Sequence, residues 1–340
     1  MTMHFTSTKH FSPVQLERFL EFALMLKSGA VTSDVIGKSL GMLFFNPSLR
    51  TQTSFSVAMQ QLGGHSMTLN VGRGVWNIET EDGVIMDGDK AEHIREAAPV
   101  LSRYFDALAV RAFPSGRSWE IDSMDPILSG FARYASVPVI NLESSLWHPC
   151  QALSDALTWN ELGVTASSKV VLTWAYHPRP LPLAVPRSVC LMAAQRGLSL
   201  TILRPPEFAL DNQLFKLTKE IAGKTGASIE ESEDLASLEG ADVVYAKSWR
   251  TLKAYQDEEK ERTIRNQYRH WQVTKALMDR TSNAAFMHCL PVRRNVVVSD
   301  RVLDSPYSVV VDQAENRLHV QKALLLHLLG QKPFVKEKLV

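Results

Sequence analysis

A short stretch near the start of the chain places hydroxyl and guanidinium groups where an apolar run passes into a helical pattern. The segment Phe44–Phe55 reads FFNPSLRTQTSF, with Ser48, Arg50 and Thr51 close together. A helix N-terminus offers unpaired N–H groups and partial positive charge, and arginine supplies a fork of donors that fits phosphate oxygens. The stretch is therefore a phosphate site or, with equal weight on local chemistry, an N-cap at Ser48 beside a solvated Arg50.

A second polar cluster follows the apolar run Val137–Leu142. Glu143, His148 and Gln151 lie within nine residues of one another. Ligands of open α/β sheets bind at the carboxyl ends of strands, and His148 and Gln151 can donate to or accept from a carbonyl or amide group. Taken alone, the cluster is better explained as a histidine that caps a loop.

A third cluster, Met287–Asn295, also ends a predicted strand. Cys289 beside His288 has the composition of a nucleophile and its partner. A free cysteine is more often a small buried residue. A third interpretation is that the turn at Leu290 and Pro291 presents backbone carbonyls to the NH₂ group of a substrate.

Two other strand ends carry cations. The loop Trp174–Pro182 holds His177 and Arg179 among three prolines, which fix the loop and suit it to substrate positioning. The alternative is a turn with an exposed arginine. Lys247 ends a later apolar run, where a single lysine is most often solvated.

Short β-branched runs alternate with helical patterns, which predicts parallel sheets built from βαβ units. The predicted strands are Leu40–Phe45, His65–Asn70, Ala107–Ala112, Val137–Leu142, Lys169–Trp174, Ser199–Arg204, Ala241–Ala246, Ala284–Cys289 and Tyr307–Asp312. The predicted helices are Pro13–Lys27, Thr51–Leu62, His93–Tyr104, Gln151–Glu161, Leu183–Arg196, Asp211–Gly223 and Glu315–Leu329.

The distribution of these elements predicts an α/β protein with two doubly wound parallel-sheet domains joined by interdomain helices. Four predicted strands precede residue 150 and five follow it. The first domain is expected to comprise residues 1–150 and a returning C-terminal helix, 315–340, and the second residues 151–314.

The bulk composition excludes several classes of protein. With 340 residues the chain is too long for one typical core, and a net charge of +1 gives no general attraction to nucleic acid or membranes. The N-terminal residues lack the pattern of a signal peptide. Three widely spaced cysteines give neither a CxxC metal site nor a disulfide framework, so a reduced, cytoplasmic protein without metal is expected.

Four motifs in sequence order together resemble the aspartate/ornithine carbamoyltransferase family, through most of the chain. They are Ser48–Thr53 (SLRTQT), His148–Gln151 (HPCQ), His288–Pro291 (HCLP) and Glu315–His319 (ENRLH). The chain is more similar to the branch that acts on Nα-acylated ornithines, and it lacks the Ser-Met-Gly loop of ornithine transcarbamylases. The segments that carry this finer likeness are Gly74–Trp76, Val84–Lys90, His177–Pro180 and Ala246–Trp249.

The resemblance implies transfer of the carbamoyl group of carbamoyl phosphate to the δ-amine of an acylornithine, in arginine biosynthesis. It also implies a homotrimer with shared active sites and no metal or organic cofactor. The phosphate would be bound by Ser48, Leu49, Arg50 and Thr51, with Trp76 entering the neighbouring subunit's site. The carbamoyl group would be surrounded by Arg111, His148, Gln151 and Arg317, with Cys289 and Leu290 accepting from its NH₂. The acylornithine would be held by Glu143, His177, Lys247, Leu290 and Arg293.

Direct attack by the amine needs no covalent intermediate, so the carbonyl role of the Cys289 turn is preferred to a nucleophilic thiol. Acetyl-specific members of the family have a glutamate where this chain has Ala91, and succinyl-specific members have a proline, so the chain departs from both at this position. The acetyl type also has a lysine where this chain has Val297. A succinyl carboxylate would be repelled by that glutamate and bound by Arg293 or Arg179, which favours succinylornithine. The alternatives are free ornithine as acceptor and a non-catalytic homologue that binds carbamoyl phosphate.

Overall fold

The computed structural model of the chain describes residues 3–31 and 33–330. Strands and helices alternate along it, as the sequence predicts for an α/β protein. The strands are β1 (Ser39–Phe44), β2 (His65–Asn70), β3 (Asn77–Glu79), β4 (Lys90–His93), β5 (Ala107–Arg111), β6 (Val139–Glu143), β7 (Lys169–Trp174), β8 (Ser199–Leu203), β9 (Ser228–Ser232), β10 (Val243–Lys247) and β11 (Ala285–Met287). The helices are α1 (Pro13–Ser28), α2 (Leu49–Gln61), α3 (Ile94–Tyr104), α4 (Trp119–Asp122), α5 (Pro126–Tyr134), α6 (Pro149–Glu161), α7 (Ala184–Gln195), α8 (Asn212–Thr225), α9 (Glu258–Asn266), α10 (Lys275–Met278), α11 (Asp300–Leu303) and α12 (Val310–Leu329).

The chain divides into two compact units. Unit 1 comprises residues 1–115, 120–150 and 317–340, and unit 2 comprises 116–119 and 151–316. Two of the boundaries fall inside helices α6 and α12. The C-terminal segment of unit 1 starts at Arg317, two residues after the boundary expected from the sequence, and residues 331–340 of that expected segment lie outside the described residues.

The main sheet of unit 1 has the strand order β2-β1-β5-β6, with every pair parallel. Strands β1 and β5 are buried on both faces, which explains why they read as continuous apolar runs rather than alternating ones. On helix α2 the apolar residues Phe55, Ala58 and Met59 recur at helical spacing and are buried, as is Leu62 at the C-cap of the helix.

The main sheet of unit 2 has the order β11-β10-β7-β8-β9 and is also parallel throughout. Its helix α7 is buried over its whole length. The α/β class with two parallel sheets, predicted from the sequence, is confirmed.

One predicted strand, Tyr307–Asp312, is wrong. Tyr307 and Val309 exchange two backbone hydrogen bonds with Phe286 at the edge of β11, but helix α12 already begins at Val310. The run was predicted as a strand because it is rich in valine, but these valines lie at the start of a helix. The fifth strand of unit 2 is instead β9, whose sequence SIEES is too polar to be recognised as a strand at a half-exposed sheet edge.

Strands β3 and β4 form a separate parallel pair that the sequence analysis did not predict. Their pairing is irregular: Asn77 lies opposite Lys90, and Ile78 opposite Glu92, so that Ala91 is the extra residue. Such a bulge changes the direction of nearby side chains. We call residues 76–93, which contain this pair and the loop between its strands, the β3–β4 flap.

Two features are absent from the part of the chain that the structure describes. Within residues 3–31 and 33–330 no helix is both long and apolar enough to cross a membrane. The same residues contain no group of three or more His, Cys, Asp or Glu side chains that could hold a metal ion.

Candidate functional site

The N-terminus of helix α2 carries the first set of predicted site residues. Ser48 has an extended backbone and its Oγ accepts a hydrogen bond from the Thr51 N–H at 3.2 Å, so it is the N-cap of the helix. Capping uses a lone pair of the hydroxyl and leaves its hydrogen able to donate to a ligand. Capping and phosphate binding at Ser48 are therefore compatible rather than alternatives. Leu49, the next residue, is 79% exposed.

Arg317, from the motif ENRLH on α12, reaches this helix start. Its Nη2 donates to Thr51 Oγ1 at 2.7 Å, and both side chains are buried. The pKa of Arg317 is lowered to about 10, mainly by burial and further by the nearby guanidiniums of Arg111 and Arg50. Arg317 and Arg111 are buried and Arg50 is half-buried, and positive charges of this kind favour an anion nearby.

A second group in unit 1 joins the ends of β5 and β6. Arg111 Nη1 donates to Glu143 Oε2 at 2.5 Å, and His148 Nε2 lies 3.6 Å from the same oxygen. All three side chains are buried. The guanidinium of Arg111 also lies over the Phe113 ring, 4.6 Å from its centroid, and the Phe113 backbone N–H donates to Asn46 Oδ1 at 2.7 Å. The carboxylate balances the buried charge of Arg111 and fixes the direction of its fork.

In unit 2, Gln151 lies in the first turn of α6 and is 1% exposed. Its Nε2 donates to Asp155 Oδ1 at 2.8 Å, one helical turn further along. Its Oε1 is buried without a hydrogen-bond partner among the described residues. The side chain therefore offers an acceptor to a ligand and has its donor engaged.

His177 and Arg293 are in contact, also in unit 2. Arg293 Nε donates to His177 Nε2 at 3.0 Å, and since an arginine can only donate, Nε2 is the acceptor. Nδ1 lies 3.0 Å from the carbonyl oxygen of Arg179 and 3.1 Å from the Arg179 N–H group. Burial lowers the pKa of His177 to about 4, with smaller contributions from Lys247 and Arg293. The histidine is thus a neutral acceptor that orients Arg293.

The motif HCLP forms a tight turn after β11. Leu290 has a φ of 52°, unusual for a residue with a side chain, and the Leu290–Pro291 peptide is cis. The Leu290 N–H donates to His288 Nδ1 at 2.9 Å. Because His288 Nδ1 accepts from the backbone, it is not available to take a proton from Cys289 in this conformation.

The β3–β4 flap holds two further predicted residues. Trp76 is 59% exposed, and its Nε1 donates to Glu92 Oε2 at 2.8 Å. The neighbouring Lys90 is bonded to Glu79 Oε1 at 2.9 Å, which leaves the small side chain of Ala91 between two residues that are already paired. Outside the flap, Val297 is 1% exposed in an apolar cluster of unit 2.

The structure brings together some of the predicted residues and adds others that the sequence analysis missed. Arg111 and Glu143 were assigned to different substrates yet form one ion pair, because β5 and β6 are neighbours in the sheet. The missed Asp155 follows Gln151 by four residues on one helix, a spacing that places side chains side by side. Glu92, the partner of Trp76, gave no such signal.

Comparison with known proteins identifies two matching domain models in sequence order. The model for the carbamoyl-P binding domain of aspartate/ornithine carbamoyltransferase matches residues 3–161. The model for the Asp/Orn binding domain of the same family matches residues 184–328.

Three relatives cover most of the chain. The N-acetylornithine carbamoyltransferase of Xanthomonas campestris pv. campestris is 45% identical, over 96% of this chain and 98% of its own length. The N-succinylornithine carbamoyltransferase of Bacteroides thetaiotaomicron is 41% identical, over 82% and 84%. The ornithine carbamoyltransferase of Pyrococcus abyssi is 37% identical, over 94% and 93%.

Solved structures with the same fold include two that contain ligands. Acetylornithine transcarbamylase complexed with acetylcitrulline has a TM-score of 0.93 and 44% identity, covering 97% of this chain and 100% of that chain. An N-acetyl-L-ornithine transcarbamylase variant, with one glutamate replaced by alanine, is complexed with carbamyl phosphate and N-succinyl-L-norvaline. It has the same TM-score and identity, over 96% of this chain and 99% of that chain. Because both domain models match and relatives align over nearly the whole length, the chain belongs to the aspartate/ornithine carbamoyltransferase family of transferases, as its motifs predicted.

Proposed function

We propose that this protein transfers the carbamoyl group of carbamoyl phosphate to the δ-amine of an Nα-acyl-L-ornithine, and that it prefers N-succinyl-L-ornithine. The products are the N-acylcitrulline and phosphate. The observation that carries the proposal is the buried hydrogen bond from Arg317 to Thr51 at the start of α2, which adds a guanidinium to a helix N-terminus that already carries Arg50 and is suited to a doubly charged acyl phosphate.

In this proposal residues 1–150 and the C-terminal segment form the carbamoyl phosphate-binding domain. The phosphate is bound by the N–H groups of the first turn of α2, the Ser48 and Thr51 hydroxyls and the guanidinium of Arg50. Arg317 donates to Thr51 Oγ1, so the Thr51 hydroxyl has its own hydrogen left for a phosphate oxygen. The phosphate is the leaving group, and these donors stabilise the charge that develops on it.

The carbamoyl group is activated by the buried cluster at the ends of β5 and β6. Arg111 and His148 donate towards the carbonyl oxygen, on which negative charge develops when the amine attacks. Glu143 holds the Arg111 fork in place through their 2.5 Å contact. Gln151 and the backbone carbonyls of Cys289 and Leu290 are proposed to accept from its NH₂ group.

The residues of unit 2 are proposed to bind the acylornithine. The δ-amine must lose its proton before it attacks, and its ordinary pKa is about 10.4. Lys247 is 7% exposed, and a nearby buried cation favours the neutral amine. Holding both substrates in the productive geometry can supply roughly 7–11 kcal/mol of the acceleration. The departing phosphate can take up the proton.

Two positions favour the succinyl group over the acetyl group. Ala91 stands where acetyl-specific members have a glutamate, and a relative in which a glutamate is replaced by alanine is complexed with N-succinyl-L-norvaline. Val297, where the acetyl type has a lysine, lies in an apolar cluster. Arg293, oriented by His177, is proposed to bind the succinyl carboxylate.

The proposed assembly is a homotrimer in which each β3–β4 flap reaches the neighbouring subunit. The flap exposes Trp76 and the consecutive apolar residues Val84, Ile85 and Met86, and clustered exposed apolar side chains mark interaction surfaces. Mixing inactive Trp76→Ala and Arg50→Ala variants tests this arrangement. If sites are shared, mixed trimers recover part of the activity, and if they are not, the mixture stays inactive.

The proposal also places the reaction in arginine biosynthesis in the cytoplasm. The location is supported by Cys150 and Cys190, which are buried thiols outside any disulfide. Growth of an arginine auxotroph that lacks its own carbamoyl transfer step, supplied with this chain and with each acylornithine in turn, tests the pathway.

A side-by-side assay of three acceptors tests the reaction. Carbamoyl phosphate is combined with N-succinyl-L-ornithine, N-acetyl-L-ornithine or L-ornithine, and the citrulline product is measured. The highest kcat/KM is expected with the succinyl compound.

Replacing Ala91 tests the acyl preference. Ala91→Glu should reverse the preference between the two acyl compounds, with Ala91→Ser as the matched small-residue control. If only L-ornithine is turned over, the protein is an ornithine carbamoyltransferase and the proposal is wrong. Binding of carbamoyl phosphate without turnover of any amine would indicate a non-catalytic homologue.

A further inference from the structure

A buried polar network in unit 2 connects two segments that carry predicted site residues. Asp155 Oδ1 accepts from Gln151 Nε2 at 2.8 Å and from Gln313 Nε2 at 2.6 Å. Gln313 Oε1 in turn accepts from the His288 backbone N–H at 2.9 Å. Asp155 and Gln313 are both 0% exposed, and neither was part of the predicted site.

The directions of these hydrogen bonds leave each amide only one orientation. A carboxylate can only accept, so both glutamines must turn their NH₂ groups towards Asp155. The oxygen of Gln313 then faces the His288 N–H, as that bond requires. The oxygen of Gln151 is left facing away from Asp155, buried and without a partner among the described residues. A buried acceptor without a partner is costly unless a ligand satisfies it.

We infer that Asp155 and Gln313 are positioning residues that hold the Gln151 amide with its oxygen presented to the NH₂ group of the carbamoyl donor. The inference rests on the proposed function, since it assigns Gln151 to that group. It adds a source of selectivity. With Asp155 in place, the network distinguishes a carbamoyl group from an acetyl group of nearly the same shape. Without Asp155, the Gln151 amide can rotate by half a turn and present its own NH₂ group instead.

Tyr245 is a buried titratable group beside the network. Burial raises the pKa of Tyr245 well above its usual value, and the Asp155 carboxylate beside it adds to this rise. The phenol is therefore a neutral neighbour of Asp155 rather than a second anion.

The test compares two stable phosphonates by titration calorimetry. Phosphonoacetamide has the NH₂ group of carbamoyl phosphate, and acetonylphosphonate has a methyl group in its place. Wild-type protein should bind the amide roughly 10- to 100-fold more tightly than the ketone. In Asp155→Leu, which removes both acceptor oxygens at similar size, the ratio should fall to about threefold or less. Asp155→Asn should keep the wild-type ratio, because a single oxygen receives both hydrogen bonds and asparagine retains it.

A matched control separates selectivity from stability. Thr158 Oγ1 accepts from Asn316 Nδ2 at 2.9 Å, a second buried pair between α6 and α12 that includes no predicted site residue. Thr158→Val should lower the melting temperature and leave the ratio of affinities unchanged. If Asp155→Leu is not folded, Gln313→Leu provides the same readout through the other member of the pair, with a reduced ratio expected.

A folded Asp155→Leu that keeps the wild-type ratio overturns the inference, even if both probes bind more weakly, because the network would then serve stability alone. The proposed function fails separately, if neither phosphonate binds to the wild-type protein.

Discussion

Arg317 and Thr51 are 266 positions apart in sequence, yet their side chains are joined by a buried hydrogen bond of 2.7 Å. Through this contact, the C-terminal helix supplies a guanidinium to the first turn of α2. Thr51 is fully buried, whereas Thr53, two residues later, is exposed. The two threonines of the motif SLRTQT therefore have different roles: one belongs to the arginine cluster, and the other faces away from the core.

Replacing Thr51 with valine should weaken binding of carbamoyl phosphate. The change removes a hydroxyl proposed to donate to the phosphate and leaves Arg317 without its acceptor at a buried position. Hydrogen bonds to charged groups contribute about 1.5–3 kcal/mol, so a roughly 10- to 100-fold weaker affinity for phosphonoacetamide is expected in calorimetry. Thr53→Val is the matched control and should bind normally. Equal losses in both variants would contradict the assignment of Thr51.

Arg50→Ala should weaken the same binding more severely, by about 100-fold or more, because it removes a charged fork of donors rather than one hydroxyl. Arg18→Ala, at an exposed arginine of helix α1, controls for the loss of one positive charge. The salt dependence of binding should also fall in Arg50→Ala, since one charge contact with the dianion is lost. A near-normal affinity in Arg50→Ala would count against phosphate binding at the start of α2.

Cys289→Ser should keep most of the wild-type kcat. The proposed role of Cys289 uses its backbone carbonyl, and His288 Nδ1 is already bonded to the Leu290 N–H rather than available to the thiol. The decisive measurement is mass spectrometry of the enzyme during turnover, in which no carbamoylated protein is expected. A covalent carbamoyl adduct at Cys289, together with loss of activity in the serine variant, would establish a nucleophilic mechanism instead.

The pH dependence of acylornithine binding should lack a histidine titration near its ordinary pKa. His177 has a pKa of about 4, so it stays a neutral acceptor for Arg293 throughout the neutral range. The KM for the acylornithine should therefore be flat from about pH 6 to pH 8 with respect to this group. His177→Leu should raise KM, and His177→Gln, which retains an acceptor, should restore much of the binding. A wild-type KM that rises sharply between pH 7 and pH 6 would contradict this.

The same depressed pKa has a consequence for stability. Since the folded-state pKa of His177 lies below that of the unfolded chain, about 6.5, its contribution to stability is complete above that pH. The contribution is lost as pH falls from about 6.5 towards 4, because only the unfolded chain takes up the proton. In His177→Gln this loss is absent, so the difference in melting temperature between wild type and variant should shrink across that range.

The sequence predicts the alternation of strands and helices well because it depends on local patterns. Continuous apolar runs mark β1 and β5, and the stripe on α2 is visible as a helical repeat. The pattern fails where burial and local propensity disagree: the polar edge strand β9 is missed, and the valines at the start of α12 are taken for a strand. Both errors follow from reading β-branched composition without knowing which segment lies at a sheet edge.

The candidate site was predictable to the extent that its residues stand in short motifs. The motif HPCQ points to His148 and Gln151, but Asp155, which fixes the direction of the Gln151 amide, is itself bonded to Gln313, 158 positions away in sequence. Likewise, the Arg111–Glu143 pair depends on the order of strands in the sheet. Residue pairs that meet only because of the fold topology cannot be recognised from local patterns in one sequence.

The most direct test of the account is a crystal structure of the protein with phosphonoacetamide bound. The account predicts the phosphonate at the first turn of α2, within hydrogen-bonding distance of the Ser48 and Thr51 hydroxyls and the Arg50 guanidinium. The amide oxygen is expected near Arg111 and His148. A phosphonate bound elsewhere, with the Arg50 side chain extended into solvent, would contradict the central claim that this helix start binds carbamoyl phosphate.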